Sequence, residues 1–142
     1  MEKLGICAGF GVVSTAISAA FGGWDNAMTA LMIFMIIDYL SGLAVAGVFK
    51  KSTKTADGGL ESKAGWKGLI RKFSILAVVL IAAQLDVLLA SSYIRDLVIY
   101  SFIANELLSV IENVGLMGVP LPTALKKAVT ALNEKGENKD EL

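Results

Sequence analysis

Six polar side chains that could do chemistry lie inside otherwise apolar segments of this chain. They are Asp38, Asp86, Asn105, Glu106, Glu112 and Asn113. Two carboxyl groups that share one proton can act as an acid–base pair, so Asp38 and Asp86 are the first pair to consider. They lie on separate predicted helices at different predicted depths, and no Gly-x-Gly-Asp sequence surrounds either of them. The favoured interpretation is therefore interhelical pairing, or the lining of a wet interface.

The densest polar group falls between Phe102 and Pro122. On a helix, Asn105, Ser109 and Glu112 would share one face, with Glu106 and Asn113 beside it. A carboxylate in an apolar helix is costly, so it requires a partner, a water-filled cavity or a position at a membrane boundary. We interpret this stripe as residues of assembly or pore lining.

Several kinds of catalytic and metal site are excluded by residue type. The chain has a single cysteine, Cys7, and no histidine. It therefore has no intramolecular disulfide, no Cys/His zinc site and no histidine-based triad. The sequence predicts a protein that is not an enzyme, with no catalytic residues, no metal and no cofactor.

The elements that hold these polar residues are predicted to be membrane-spanning helices. Hydrophobic residues make up 55% of the 142 residues and charged residues only 18%, against roughly 25% in soluble domains. The apolar stretches Leu4–Phe21, Ala27–Phe49, Phe73–Ile94 and Leu97 to about Ile111 predict four spans. A cleaved signal peptide is the alternative for the first stretch, but Met1–Lys3 lacks the net positive charge that a signal peptide carries.

Two of these spans carry an insertion cost. A central Asp38 costs about 3 kcal/mol, which ten strongly apolar residues in the same span balance at about 0.3–0.6 kcal/mol each. The fourth span has nine such residues, and Asn105 with Glu106 could cancel most of their contribution. A three-span topology, in which the last helix does not cross, is therefore the second choice.

The basic residues predict the orientation. Seven of the thirteen fall between positions 50 and 72: Lys50, Lys51, Lys54, Lys63, Lys67, Arg71 and Lys72. Loops rich in Lys and Arg stay in the cytoplasm, so four spans would place both termini there as well. The expected partner of this basic loop is anionic lipid at the membrane surface rather than nucleic acid.

Small residues and the C-terminal segment complete the predicted organisation. Gly5, Gly9 and Gly42 could let helices approach closely in lipid, which favours a homo-oligomer. Residues 123–132 predict a short amphipathic helix with Leu125, Ala128, Val129 and Leu132 on one face. We expect one transmembrane domain over residues 1–135 and a polar, disordered tail over residues 136–142.

A set of motifs from Asp38 to Leu132 resembles the phage holin family, which includes clostridial toxin-secretion holins. The motifs are Asp38-Tyr39-Leu40-Ser41-Gly42, Ser62-Lys63…Gly68…Arg71-Lys72, Asp86, Ile103-Ala104-Asn105-Glu106…Ser109…Glu112-Asn113, and Gly118-Val119-Pro120-Leu121-Pro122…Leu125-Lys126. The first span matches only in being apolar. Leu107 stands where the family is expected to have a small residue.

The resemblance implies a holin that accumulates in the bacterial cytoplasmic membrane and assembles into lesions. Through those lesions an endolysin, or a toxin, would cross without any required direct binding. Two alternatives stay open: a small oligomeric ion or solute channel or transporter subunit, and a non-conducting membrane scaffold. A channel would conduct without killing the cell, and a scaffold would leave permeability unchanged.

Overall fold

This computed structural model describes residues 1–137, which form five α-helices and the segments that connect them. The helices are α1 (Glu2–Ala20), α2 (Asn26–Ala44), α3 (Ser62–Leu89), α4 (Ile94–Leu116) and α5 (Thr123–Glu137), with no strand among those residues. Helices α1 to α4 are each long and apolar enough to cross a membrane. The predicted all-α architecture with four candidate spans is confirmed.

Helices α2, α3 and α4 form the packed part of the fold, with α4 in contact with both of the others. Their buried apolar residues recur every three or four positions, which places them along one side of each helix. The core formed in this way comprises Met28, Leu31 and Met35 of α2, Ile75 and Val79 of α3, and Ile99 and Ile103 of α4. This spacing defines an inward-facing seam on each helix.

Helix α2 has clear signals at both ends. The Asp25 carboxylate accepts a hydrogen bond from the Met28 backbone N–H at 2.9 Å, which caps the first turn. At the other end α2 continues as a π-helical turn over Val45–Phe49. Lys50 then adopts a left-handed conformation (φ 52°) and the helix stops.

Helix α3 differs most from its predicted bounds. It begins at Ser62, eleven residues before the predicted start at Phe73, because the basic segment is helical rather than part of a loop. The Tyr39 ring packs against the two glycines of this first part, Gly65 and Gly68. The loop proper covers only residues 50–61.

Helix α3 also ends earlier than predicted, at Leu89 rather than Ile94. Ala90 takes a left-handed conformation (φ 50°), and the Asp86 carbonyl accepts a hydrogen bond from the Ser91 N–H at 2.9 Å. The chain turns there, so Ile94 belongs to the start of α4. Helix α4 runs to Leu116, beyond the predicted end near Ile111, and its 23 residues are long and apolar enough to cross a membrane.

The C-terminal helix also extends further than predicted. Helix α5 continues from Thr123 to Glu137, so positions 136 and 137 of the predicted tail are helical. The remainder of that predicted tail, residues 138–142, lies outside the described residues, as do the side chains of Val129 and Leu132.

Helix α1 is nearly separate from the packed helices, and none of its residues from Glu2 to Ala20 is buried. Its C-terminal end is held by Gln84 of α3, whose Nε2 donates to the Ala20 carbonyl at 2.8 Å. A Cβ atom added to Gly5 or Gly9 would meet no described atom within 4 Å. The predicted close packing of these glycines is therefore not made within one chain.

Candidate functional site

A charged cluster lies between α2, α3 and α4. The Lys72 ammonium donates to the Asp38 carboxylate, with Nζ 2.6 Å from Oδ2, and it also pairs with the Glu106 carboxylate. Asn113 Nδ2 donates to the second Asp38 oxygen at 3.3 Å and to Ser41 Oγ at 2.9 Å. These five residues are the Lys72 cluster, and they bring one cation into contact with two carboxylates.

The cluster is buried, and its charged residues lie several turns from the start of their helices. The side chains of Asp38, Glu106 and Lys72 are 9%, 7% and 12% exposed. Asp38 and Glu106 each lie twelve residues, or about 18 Å, from the start of their helix. Charges at such a position require partners, since an unpaired charge in a span is costly. Within the cluster the partners are other side chains of the same chain.

The seams explain why these three residues meet. Asp38 follows the core residue Met35 by three positions, Lys72 precedes Ile75 by three, and Glu106 follows Ile103 by three. Each charged residue thus continues the inward-facing side of its helix. The packing that forms the apolar core also brings the charges together.

A cavity of about 80 Å³ adjoins the cluster on the side of the loop over residues 50–61. Asp38, Lys72 and Asn113 line its inner end, and Ser52 and Lys54 of the loop line its mouth. Gly42 belongs to the same wall, where a Cβ would lie 3.7 Å from Asn113 Nδ2. The cluster is therefore open toward one end of the bundle.

A second polar group, the Arg95 cluster, lies at the opposite end. The Arg95 guanidinium pairs with both oxygens of Asp25, at 2.8 and 3.2 Å, and donates to the Gly23 carbonyl at 2.9 Å. It also donates to the Phe21 carbonyl and to Asp96. The hydrogen bond from Arg95 lowers the pKa of Asp25 below the ordinary 3.8. This cluster fastens the turn between α1 and α2 to the start of α4.

Asp86 belongs to this second end and not to the Lys72 cluster. Its carboxylate accepts hydrogen bonds from Ser91 Oγ at 2.6 Å and from the backbone N–H groups of Ile94 and Arg95 at 3.0 and 2.9 Å. It thereby caps the N-terminus of α4. Asp38 and Asp86 have different partners, so the structure does not bring the two carboxylates together as a pair.

The polar stripe of α4 is divided between two sides of the helix. Glu106 and Asn113 are buried in the Lys72 cluster, whereas Asn105 and Glu112 are exposed. Ser101 is exposed as well and precedes Asn105 by one turn. Helix α4 therefore presents polar groups both inside the bundle and on its outer face.

The predicted membrane-surface basic residues need one correction. Lys50, Lys51, Lys63, Lys67 and Arg71 are exposed. Lys72 is not at the surface, because the seam of α3 directs it into the bundle, where it pairs with Asp38 and Glu106.

Sequence reasoning missed two partners, Lys72 for the carboxylates and Arg95 for Asp25. A signal for Lys72 was present: Gly65, Gly68, Lys72, Ile75 and Val79 recur at spacings of three and four, which marks one side of a helix. Starting the helix at Phe73 removed Lys72 from that pattern. Arg95 carries no comparable signal, since Asp25 and the Phe21 and Gly23 carbonyls that it binds lie about seventy residues earlier in the chain.

Comparison with known proteins finds a matching family and relatives that align with most of the chain. A profile described as "Bacteriophage holin family" matches residues 15–134. An uncharacterized protein of Clostridium perfringens is 37% identical over 98% of this chain and 100% of its own length, and one of Listeria innocua is 37% identical over 98% and 91%. A protein of Bacillus phage phi105 named as a probable holin is 27% identical over 78% of this chain and 77% of its own length. No solved structure gives a significant match.

Proposed function

Because this chain belongs to the bacteriophage holin family, as its motifs predict, we propose that it acts as a holin. Copies oligomerise in the bacterial cytoplasmic membrane and form lesions through which an endolysin or a toxin crosses. The relative named as a probable holin supports this function. So do the four helices long and apolar enough to cross a membrane, which together with the family indicate a multi-pass membrane protein. The action we propose is physical and non-enzymatic.

The observation that carries the proposal is the polar outer face of α4. Asn105 and Glu112 are exposed on a helix that is apolar enough to span a membrane. In a single chain surrounded by lipid these groups have no water, and a charged group in hydrocarbon is costly. Contact with a second copy, or with water inside a lesion, removes that cost. Assembly is the state in which this face is satisfied.

The basic residues support the orientation that we propose. The exposed cations Lys50, Lys51, Lys63 and Lys67 lie at or near the loop end of the bundle. By the positive-inside rule this end faces the cytoplasm, and both termini lie on the same side. These cations would contact anionic headgroups of the inner leaflet.

The test is inducible expression in bacteria with a co-expressed endolysin. The wild-type chain should stop growth abruptly after a delay, and the endolysin should then clear the culture. Replacing the outer polar groups in Asn105→Leu/Glu112→Leu should delay or abolish clearing, because the lipid-facing surface no longer favours assembly. Ser74→Leu, at an exposed position of α3, is the matched control and should lyse on schedule.

Three results would count against this function. If the double variant reaches the same amount in the membrane and lyses at the same time as wild type, the outer face of α4 does not drive assembly. Conduction of ions without growth arrest would favour a small channel, which the cavity beside the Lys72 cluster makes the second candidate. A chain that leaves permeability unaltered would be a scaffold.

A further inference from the structure

We propose that the Lys72 cluster binds one exchangeable proton, carried by Glu106, and that this proton holds the three-helix packing closed. This inference rests on the proposed function, because it assigns a regulation to the same protein: loss of the proton favours the opening that precedes lesion formation. Its ligand is a proton delivered by water.

The first step is the charge count. The cluster contains two carboxyl groups, Asp38 and Glu106, and one ammonium group, Lys72, and all three side chains are almost fully buried. With both carboxyl groups ionised the cluster has a net charge of minus one in an apolar interior. An uncompensated buried charge is strongly destabilising, and one bound proton makes the cluster neutral.

Hydrogen-bond donors decide which carboxyl group carries the proton. Asp38 accepts from two donors, Lys72 Nζ and Asn113 Nδ2, one on each of its oxygens. Among residues 1–137, Glu106 accepts a side-chain hydrogen bond from Lys72 alone, and it shares that donor with Asp38. Donors stabilise the ionised form of a carboxyl group, so the better-supplied Asp38 is the carboxylate and Glu106 is the acid.

The route for the proton leads to one end of the bundle. The cavity beside the cluster, of about 80 Å³, is large enough for water, and its lining is polar at the cluster and at the loop. On the other side of the cluster lie the apolar core residues Met35, Ile75 and Ile103. Glu106 does not itself line the cavity, but Lys72, which pairs with Glu106, does. A proton released from Glu106 therefore reaches the cavity through Lys72, which gives one proton to water as it takes one from Glu106, and the proton exits at the basic-loop end.

Other titratable groups near this path are few in the described residues. Helix α2 contributes Asp38 and Tyr39, helix α3 contributes Arg71 and Lys72, and the loop contributes Lys54 and Glu61 at the cavity mouth. Helix α4 contributes Glu106 itself. Arg71, Lys54 and Lys72 attract the carboxylate that forms on proton loss, while Asp38 and Glu61 oppose it.

The direction of the pH effect follows from this assignment. The closed bundle binds the proton on Glu106, and an opened, hydrated cluster releases it without leaving a buried charge. The closed state is therefore favoured at low pH on the loop side, and its stability falls as that pH rises. Release of one proton changes the ratio of closed to open protein by up to about tenfold per pH unit.

The experiment uses the full chain reconstituted into phosphatidylglycerol/phosphatidylethanolamine vesicles. Infrared difference spectra between acidic and alkaline buffer should contain the C=O stretch of a protonated carboxylic acid. That band should be absent from Glu106→Gln and present in Glu112→Gln, whose exposed carboxylate lies on the same helix. Release of an encapsulated dye should increase with the pH on the loop side for wild type and Glu112→Gln. Vesicles that contain Glu106→Gln should release dye at every pH as slowly as the wild type does at low pH.

Some outcomes would overturn the proton site. No band lost specifically in Glu106→Gln, or faster leakage from that variant, would mean that Glu106 is ionised in the closed bundle. Dye release that does not depend on pH in the wild type would remove the regulation while leaving the holin function intact. A wild type that never releases dye would contradict the holin function, and the infrared band would still decide the proton site.

Discussion

At the scale of single residues, Lys72 determines whether the inner face of the bundle can be buried. Its ammonium is the cation that contacts both Asp38 and Glu106. Removing one member of a buried ionic group leaves the charges of the others uncompensated. The resulting loss of folding free energy is larger than the net contribution of the intact group to stability. The cation is therefore the most sensitive position of the cluster.

Lys72→Met should destabilise the packed helices by about 3–5 kcal/mol, because two carboxyl groups would then lie together without a cation. The measurement is the thermal unfolding midpoint in detergent micelles. Lys67→Met is the matched control: Lys67 is exposed on the same helix, so its replacement should leave the midpoint almost unchanged. Equal shifts in the two variants would show that Lys72 contributes only as a surface charge.

At the scale of elements, α1 is attached to the other helices mainly by polar contacts at one end. Arg95 binds the Phe21 and Gly23 carbonyls and Asp25, and Gln84 binds the Ala20 carbonyl. Gly22 is required in this turn, since it has φ 77° and an added Cβ would lie 2.9 Å from Arg95 Cδ. Arg95, together with Gln84, thus holds the C-terminal end of α1 against the packed helices.

Arg95→Met should free α1 without unfolding α2 to α4, because it removes the charge and the donors but keeps an apolar side chain of similar length. Spin labels at Ser14 and Leu88 in a Cys7→Ser background should report a broader distance distribution. Asp96→Asn is the control, since Asp96 pairs with Arg95 at 3.1 Å while Arg95 itself binds Asp25 and the Gly23 carbonyl of the turn. An unchanged distribution in Arg95→Met, with circular dichroism showing the same helix content, would place the attachment elsewhere.

The same attachment should depend on pH in one direction. Arg95 lowers the pKa of Asp25 below 3.8, so the contribution of the ion pair is fully present above that value. The contribution is lost only as the pH falls through the lowered value. The label distance should therefore stay constant from neutral pH down to 3.8, and broadening well above that pH would contradict the assigned ion pair.

The sequence predicts the number of helices well because each apolar stretch has the length of a span. The sequence does not predict which of two adjacent polar residues is buried. Arg71 and Lys72, or Asn105 and Glu106, are adjacent residues of similar polarity, and only the packing of other helices determines which of them is buried. The partners Asp38, Lys72 and Glu106 are far apart in the chain, so their contact follows from the seams and not from any local motif.

At the scale of the whole molecule, the two polar clusters divide the bundle into two unlike ends. The cavity and the exposed lysines lie toward the loop over residues 50–61, while the Arg95 cluster closes the other end. An even number of crossings would place residue 135 on the same side as the loop. The proposed orientation therefore places the loop and the C-terminal helix on the cytoplasmic side and the turn between α3 and α4 on the outer side.

Thiol labelling in intact bacteria, before lysis begins, tests this placement at three positions. In a Cys7→Ser background, Ser92→Cys in the turn after α3 should react with a membrane-impermeant maleimide from outside. Ala56→Cys in the loop and Lys135→Cys in α5 should react only after the membrane is permeabilised, because the positive-inside rule retains both lysine-bearing segments. All three variants should react equally in detergent. Labelling of Lys135→Cys but not Ala56→Cys in intact cells would show that α4 does not cross, and the outer polar face of α4 would then lie at the membrane surface.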